Sequence, residues 1–497
     1  MLEFNFSVFV AFVLYLVVIM AIAIWSMLKS RGGDAGEYFL AGRKMGKWVT
    51  ALTAQTSDMS GWLLMGFPGS ILAFGIGRTW IAIGLILGTY LNWLLVAARL
   101  RRFTKAADDA ITIPEYLTKR FQSKSYVLQG VCAIVFLVFF TVYVAAGILA
   151  GGTVLNSILG IGELPSFIIF TFFVLAYTFL GGLAAISRTD FLQGMLMLIA
   201  ILAAPIIVYF TQSIDFAGTV AADVNYWNLL PSGQLDYASV SSILGDLAWG
   251  LGYFGMPHII IKFMAVKNSK MIKFSRRIAM AWVILALGAA IAVGIVGRAF
   301  MPELVDGERE RVFIEMVVRV FPGFIAGILL SAIVAAAMST ADSQLLVASA
   351  SITNDIYKPL FNKDKSDKTK VVWVGRIVVA VLAVIAFLIA INPNSGNIMG
   401  LVANAWAGFG SAFGPVIILS LYWKRFTYKG ATAGIVCGAG MVAIWITFFQ
   451  EYTGIYELLP GFIMGFIACV VVSLLDKAPS KEVETIFDKA LDPTIDD

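Results

Sequence analysis

Thr56-Ser57-Asp58-Met59-Ser60-Gly61-Trp62, with Gly66, Pro68 and Gly69 close behind, interrupts an apolar run over residues 50–72. The run is long enough to cross a bilayer, whose core takes about 20 helical residues. Yet a carboxylate, hydroxyls and helix breakers occupy its middle. Gly and Pro release backbone amides and carbonyls from the helical ladder. At membrane depth such groups are tolerated only where they are buried in protein or line a cavity. A second interruption, Trp249-Gly250-Leu251-Gly252-Tyr253-Phe254-Gly255-Met256-Pro257, lies in the run 239–261. Packing of helices through small residues explains many glycines, but it explains two matched breaks less well.

The rest of the chain has the composition of a membrane protein. Its 497 residues are 60% hydrophobic and only 13% charged, about half the charged share of soluble domains, and the mean hydropathy is +0.87. A soluble enzyme, a disordered chain and a disulfide scaffold are excluded. The formal charge of +5 is spread over loops and forms no basic face for nucleic acid. Cys132, Cys437 and Cys469 sit in apolar runs and are expected to be buried thiols, and the single His258 cannot build a zinc site alone.

The fold class expected is an all-α polytopic membrane protein with thirteen transmembrane helices, over 5–28, 50–72, 75–98, 126–155, 163–184, 189–212, 239–261, 275–298, 315–351, 371–391, 397–422, 430–448 and 456–475. The first run has no Lys or Arg before it and Lys29 and Arg31 after it, the reverse of a cleaved signal. It is therefore expected to be a retained helix with its N-terminus outside. With that orientation 31 of the 36 Lys and Arg residues fall on the cytoplasmic side, including Lys262, as the positive-inside rule requires. The ninth span is long enough to tilt, kink or project. The loop 213–238 has room for a short surface helix, and the polar tail after Lys477 is expected to be mobile.

Spans two to six and seven to eleven run in opposite senses, which is the topology of a 5+5 inverted repeat. The expected organisation is a first helix and cytoplasmic loop (1–46), a first five-helix repeat (47–212), an extracellular loop (213–238), a second, inverted repeat (239–423), two additional helices (424–476) and a cytoplasmic tail (477–497). In such transporters the first helix of each repeat breaks at the midplane, where the site lies.

Four carboxylates fall within or beside spans. Asp58 lies beside the first break and marks an ion or polar-solute path, or else a structural lock held by backbone amides. Asp190 reads equally as a functional group or as a carboxylate at a helix N-terminus. Asp246 lies in the outer half of its span, and Asp342 follows Ser339-Thr340 within Ala335-Ala336-Ala337-Met338-Ser339-Thr340-Ala341-Asp342-Ser343. Hydroxyls and freed carbonyls are hard oxygen ligands that suit Na⁺, although small residues and hydroxyls also serve plain helix packing. The GxGxxG match at Gly250–Gly255 is discarded because no strand precedes it. Asp367-Lys368-Thr369-Lys370 is a charged loop, and the chain has no Walker A sequence and no potassium-filter sequence.

Ser57 to Gly66 and Trp249 to His258 resemble the sodium:solute symporter family, and within it the bacterial sodium/proline branch. Gly181-Gly182-Leu183 before Asp190, Arg311-Val312-Phe313-Ile314-Glu315 and Ala405-Trp406-Ala407-Gly408-Phe409-Gly410 support the match, which runs from about Glu37 to Pro479. The resemblance implies a LeuT-type core and a secondary active transporter that couples Na⁺ entry to uptake of L-proline in the cell membrane, with the C-terminus cytoplasmic. It implies a sodium site made by the carbonyls of Thr56, Met59 and Ala336 and the hydroxyls of Ser339 and Thr340, with Asp58 and Asp190 in ion coupling. For the solute it implies Ser60, Gly61, Trp62, Tyr143, Trp249, Tyr253 and Pro257. It implies no organic cofactor, no catalytic residue, no nucleic acid and no obligatory protein partner besides the lipid bilayer. A symporter for another small solute (another amino acid, pantothenate or a carboxylate) and a non-transporting sensor are the alternatives.

Overall fold

The structure is a computed structural model that describes residues 5–29, 40–180, 183–305, 308–361 and 368–496. Arg31, the Gly181-Gly182 pair and Asp367 therefore lie outside the described residues. The described chain is helical throughout, and apart from an isolated bridge between Met45 and Val266 it holds no strand. Among the described residues ten helices are long and apolar enough to cross a membrane.

In chain order the first elements are α1 (Phe6–Lys29), α2 (Lys47–Asp58), α3 (Trp62–Phe74) and α4 (Ile76–Ala106). They are followed by α5 (Ile113–Arg120), α6 (Val127–Leu159), α7 (Glu163–Leu180), α8 (Leu183–Thr211) and α9 (Phe216–Ala222). The next are α10 (Tyr237–Ala248), α11 (Pro257–Met264), α12 (Ile272–Phe300), α13 (Val312–Val320) and α14 (Gly323–Ser351). The last are α15 (Lys368–Ala390), α16 (Ile398–Tyr422), α17 (Tyr428–Phe448), α18 (Leu458–Leu475) and α19 (Lys481–Leu491).

Both interruptions break the helix. α2 ends at Met59, whose ψ of 81° leaves the helical region, and the chain turns helical again at Gly61. In the second, Trp249–Phe254 tightens into a 3₁₀ helix, Met256 is extended, and Pro257 restarts the helix as α11. Proline suits a first helical position, because its missing amide would have no intrahelical partner there. Gly255 is required by close approach: a Cβ on it would lie 2.5 Å from the Phe409 carbonyl oxygen on α16.

Four expectations are corrected. The ninth span is not continuous, because Pro322, with φ −58° and ψ 144°, separates the short helix α13 from α14. Hydropathy runs smoothly through that point while proline ends the ladder. The tail is not mobile but docks. Phe487 meets Phe103 edge-on at 5.3 Å, Arg120 donates to the Val483 carbonyl, and Lys424 pairs with Asp488. Its own sequence is amphipathic, with Val483, Phe487 and Ala490 on the buried side and Ser480 as its N-cap. Lys262 is not a loop cation, for it is fully buried in α11. Cys437 is half-buried rather than buried. The short helix allowed for in the loop 213–238 is present as α9.

Truncating Phe487 removes the tail's main apolar anchor, a change worth about 3 kcal/mol at a fully packed site. Phe487→Ala should therefore make Lys481 and Lys489 cleavable by trypsin at least about tenfold faster. Equal cleavage rates in variant and parent would show that the tail is held elsewhere.

Candidate functional site

The first break exposes two carbonyls that α2 can no longer satisfy internally. The Thr56 carbonyl accepts from Ser339 Oγ at 2.9 Å and from Thr340 Oγ1 at 3.3 Å, both on α14. Ser339 Oγ also lies 3.3 Å from the Ala336 carbonyl. Thr56, Ala336, Ser339 and Thr340 thus come together, at the C-terminal end of α2, where the helix dipole favours a cation. Met59 is the residue at which α2 unwinds, and it is buried. Interhelical side-chain hydrogen bonds in membranes are worth about 0.6 kcal/mol on average. A cation could therefore take over these oxygens at little cost.

The Asp58 carbonyl accepts three donors: the Ser60 amide at 3.0 Å, Trp62 Nε1 at 3.1 Å and Tyr143 Oη at 3.2 Å. The Asp58 carboxylate takes the Tyr253 hydroxyl at 2.5 Å through Oδ2, and its Oδ1 has no hydrogen-bond partner. Tyr253 belongs to the second break, so this one bond ties the two breaks together. Gly61 packs against the Ala150 side chain of α6. Pro257 is buried at the start of α11.

Aromatic rings surround the break. The ring centroids of Trp62 and Trp249 are 6.5 Å apart. Trp249 stacks on Tyr456 at 5.1 Å, and Trp406 donates from Nε1 to the Trp249 carbonyl at 2.8 Å while meeting Tyr253 edge-on at 5.0 Å. Trp406 and Tyr456 were not among the expected site residues. Trp406 stood in a stretch quoted only for resemblance, and nothing in its spacing separates a ring at the break from one in a packed helix face. Trp249 and Tyr456 also line a cavity of about 420 Å³ that includes Arg78, Asp246, Arg309 and Asn397. Asp246 pairs there with Arg78 at 3.0 Å.

Asp190 is not a helix-end carboxylate. α8 begins at Leu183, two turns earlier, and Asp190 is fully buried. Its Oδ2 accepts from Thr53 and lies 3.5 Å from Ser57 Oγ and 3.6 Å from the Lys262 ammonium. Asp342 accepts from Thr178 Oγ1 at 2.6 Å. Lys262, Thr53 and Ser343 were not among the expected site residues; a lysine near a span end reads as a loop cation.

The family model described as the sodium:solute symporter family matches residues 38–438. The chain is 43% identical over 489 residues to the osmoregulated proline transporter OpuE of Bacillus subtilis, covering 97% of this chain and 98% of that protein. It is 46% identical over 465 residues to the sodium/proline symporter of Escherichia coli, covering 91% and 90%. Among solved structures, a Na⁺-coupled sialic acid symporter in a substrate-bound outward-open state has the same fold, with a TM-score of 0.79 at 18% identity over 96% of this chain and 99% of that one.

Tyr253→Phe removes the hydroxyl that Asp58 Oδ2 accepts and leaves both carboxylate oxygens without a partner. A buried group so exposed costs about 1–3 kcal/mol, so the variant should melt at a lower temperature than the parent in detergent. An unchanged melting curve would show that the bond contributes nothing to holding the breaks together.

Proposed function

The chain belongs to the sodium:solute symporter family, and from that premise we propose that it takes up L-proline with Na⁺ by alternating access. The observation that carries the reading is the convergence of the Ser339 and Thr340 hydroxyls on the Thr56 carbonyl beside a helix break walled by Trp62, Tyr143, Trp249 and Tyr253. The break sets a helix C-terminus, which favours a cation, next to a helix N-terminus, which favours a carboxylate. A zwitterion with an apolar ring matches both. Its carboxylate meets the amides at Gly61 and Trp62, its imino group meets carbonyls or ring faces, and the aromatic walls desolvate its ring.

Na⁺ is held by the carbonyls of Thr56, Met59 and Ala336 and by the two hydroxyls, joining α2 to α14. Asp58 supports this position through the same helix turn, and Asp190 lies on the route by which the ion leaves. Because ion and solute share α2, each tightens the binding of the other by the same factor. One charge crossing about 100 mV supplies about 2.3 kcal/mol, nearly a fifty-fold accumulation before any sodium gradient. The reading places ten of thirteen spans in a LeuT-type 5+5 inverted repeat, with α2–α3 and α10–α11 as the broken first helices. Residues 1–46, 424–476 and 477–497 flank that core. The N-terminus is extracellular and the C-terminus cytoplasmic, in accord with the loop charges. The cavity at Arg78 and Asp246 is then the outer approach to Trp249.

Purified protein in liposomes should concentrate radiolabelled L-proline under an inward sodium gradient, and the uptake should collapse when choline replaces sodium. Folded protein without proline uptake would shift the assignment to another small solute. Ser339→Ala removes one of five oxygen ligands, so half-saturating sodium should rise about tenfold, about 1.4 kcal/mol, with the proline KM at saturating sodium nearly unchanged. Trp249→Ala should do the reverse, raising the proline KM.

A further inference from the structure

Lys262 has no part in the transport cycle described so far. It lies on α11 five residues beyond Pro257 and is fully buried. Its ammonium donates to Ser343 Oγ at 3.1 Å and Thr53 Oγ1 at 3.2 Å, with Asp190 Oδ2 3.6 Å away. Ser57 Oγ closes the group at 3.0 Å from Ser343 Oγ. Asp190 Oδ1 is buried without a hydrogen-bond partner, so the carboxylate keeps a free oxygen for a cation. These oxygens come from α2, α8 and α14, and they are hard ligands of the type that suits Na⁺.

The group repeats the sodium position one turn along. Thr53 precedes Thr56 by three residues, and Ser343 follows Ser339 by four, a step of about 4.5 Å along α2 and about 6 Å along α14. Resting on the sodium-coupled reading, we propose that this is a second cation position, filled in this chain by the tethered ammonium of Lys262. The chain therefore binds one Na⁺ per solute, where the same oxygens without the lysine would bind two. The tethered charge cannot leave with the cargo. It stays on α11, opposite Asp190, throughout the cycle.

The test counts sodium ions in the full-length protein. Wild-type protein in liposomes should show a ratio of labelled Na⁺ to labelled proline flux near one, and a ratio near two would overturn the proposal without touching sodium-coupled proline uptake. Lys262→Gln frees the position, so sodium titration of intrinsic tryptophan fluorescence should steepen from a Hill coefficient near one to above about 1.5. Adding Asp190→Asn to that variant should return it to near one. Lys262→Arg keeps the charge and should stay near one. A Lys262→Gln coefficient that stays at one, with folding confirmed by gel filtration, would reduce the lysine to a structural ion pair and overturn the proposal. Should Lys262→Gln not fold, the wild-type flux ratio and Lys262→Arg decide. The fluorescence titration needs no solute, so a failure of the proline assignment is told apart from a failure of the second position.

Discussion

The Thr56 and Asp58 carbonyls are freed from their helix inside an apolar bundle, and the structure has to satisfy them there. An unmet backbone group at that depth costs several kcal/mol, so their partners dictate much of the packing. Ser339 and Thr340 bring α14 against α2, Tyr143 brings α6, and Trp62 folds back over the break it follows. Gly61 lets Ala150 of α6 lie directly against the turn. The proposed sodium position uses the same oxygens that hold the break together, so in that proposal structural and functional demands fall on one set of atoms.

The second break is coupled to the first by aromatic and carboxylate contacts. Tyr253 reaches Asp58, Trp406 is bonded to the Trp249 carbonyl, and Trp249 faces Trp62. These contacts bring the two breaks directly against one another. Trp249 belongs both to the ring cluster and to the cavity bearing the Arg78–Asp246 pair. Trp249 thus joins the ring cluster at the break to that cavity.

Charge is arranged in two ways. At the bundle end that holds the tail, cations pair openly: Lys429 lies 2.9 Å from Asp476, whose carboxyl this hydrogen bond holds below its usual range. Arg43 reaches the Met264 and Ala110 carbonyls, tying the segment before α2 to the end of α11 and to the loop before α5. Inside the bundle, Lys262 and Asp190 lie 3.6 Å apart and are fully buried, a geometry that destabilises strongly when one partner is removed.

The sequence by itself determined the membrane class, the long apolar helices and both breaks, because hydropathy and the positions of Gly and Pro act through the local backbone. Resemblance carried Thr56, Ser339 and Thr340 into one site, and the structure brings them together. What only the tertiary structure decided was which polar groups face one another: Trp406 and Tyr456 against Trp249, Lys262 against Asp190, Phe487 against Phe103. A lysine at a span end and a polar tail have the same local signature whether solvated or docked. Their fate depends on partners 72 residues away for Lys262 and 384 for Phe487, and neither hydropathy nor spacing carries information over that distance. The break at Pro322 is the converse case, a local signal overridden in the hydropathy reading by the apolar residues on either side of it.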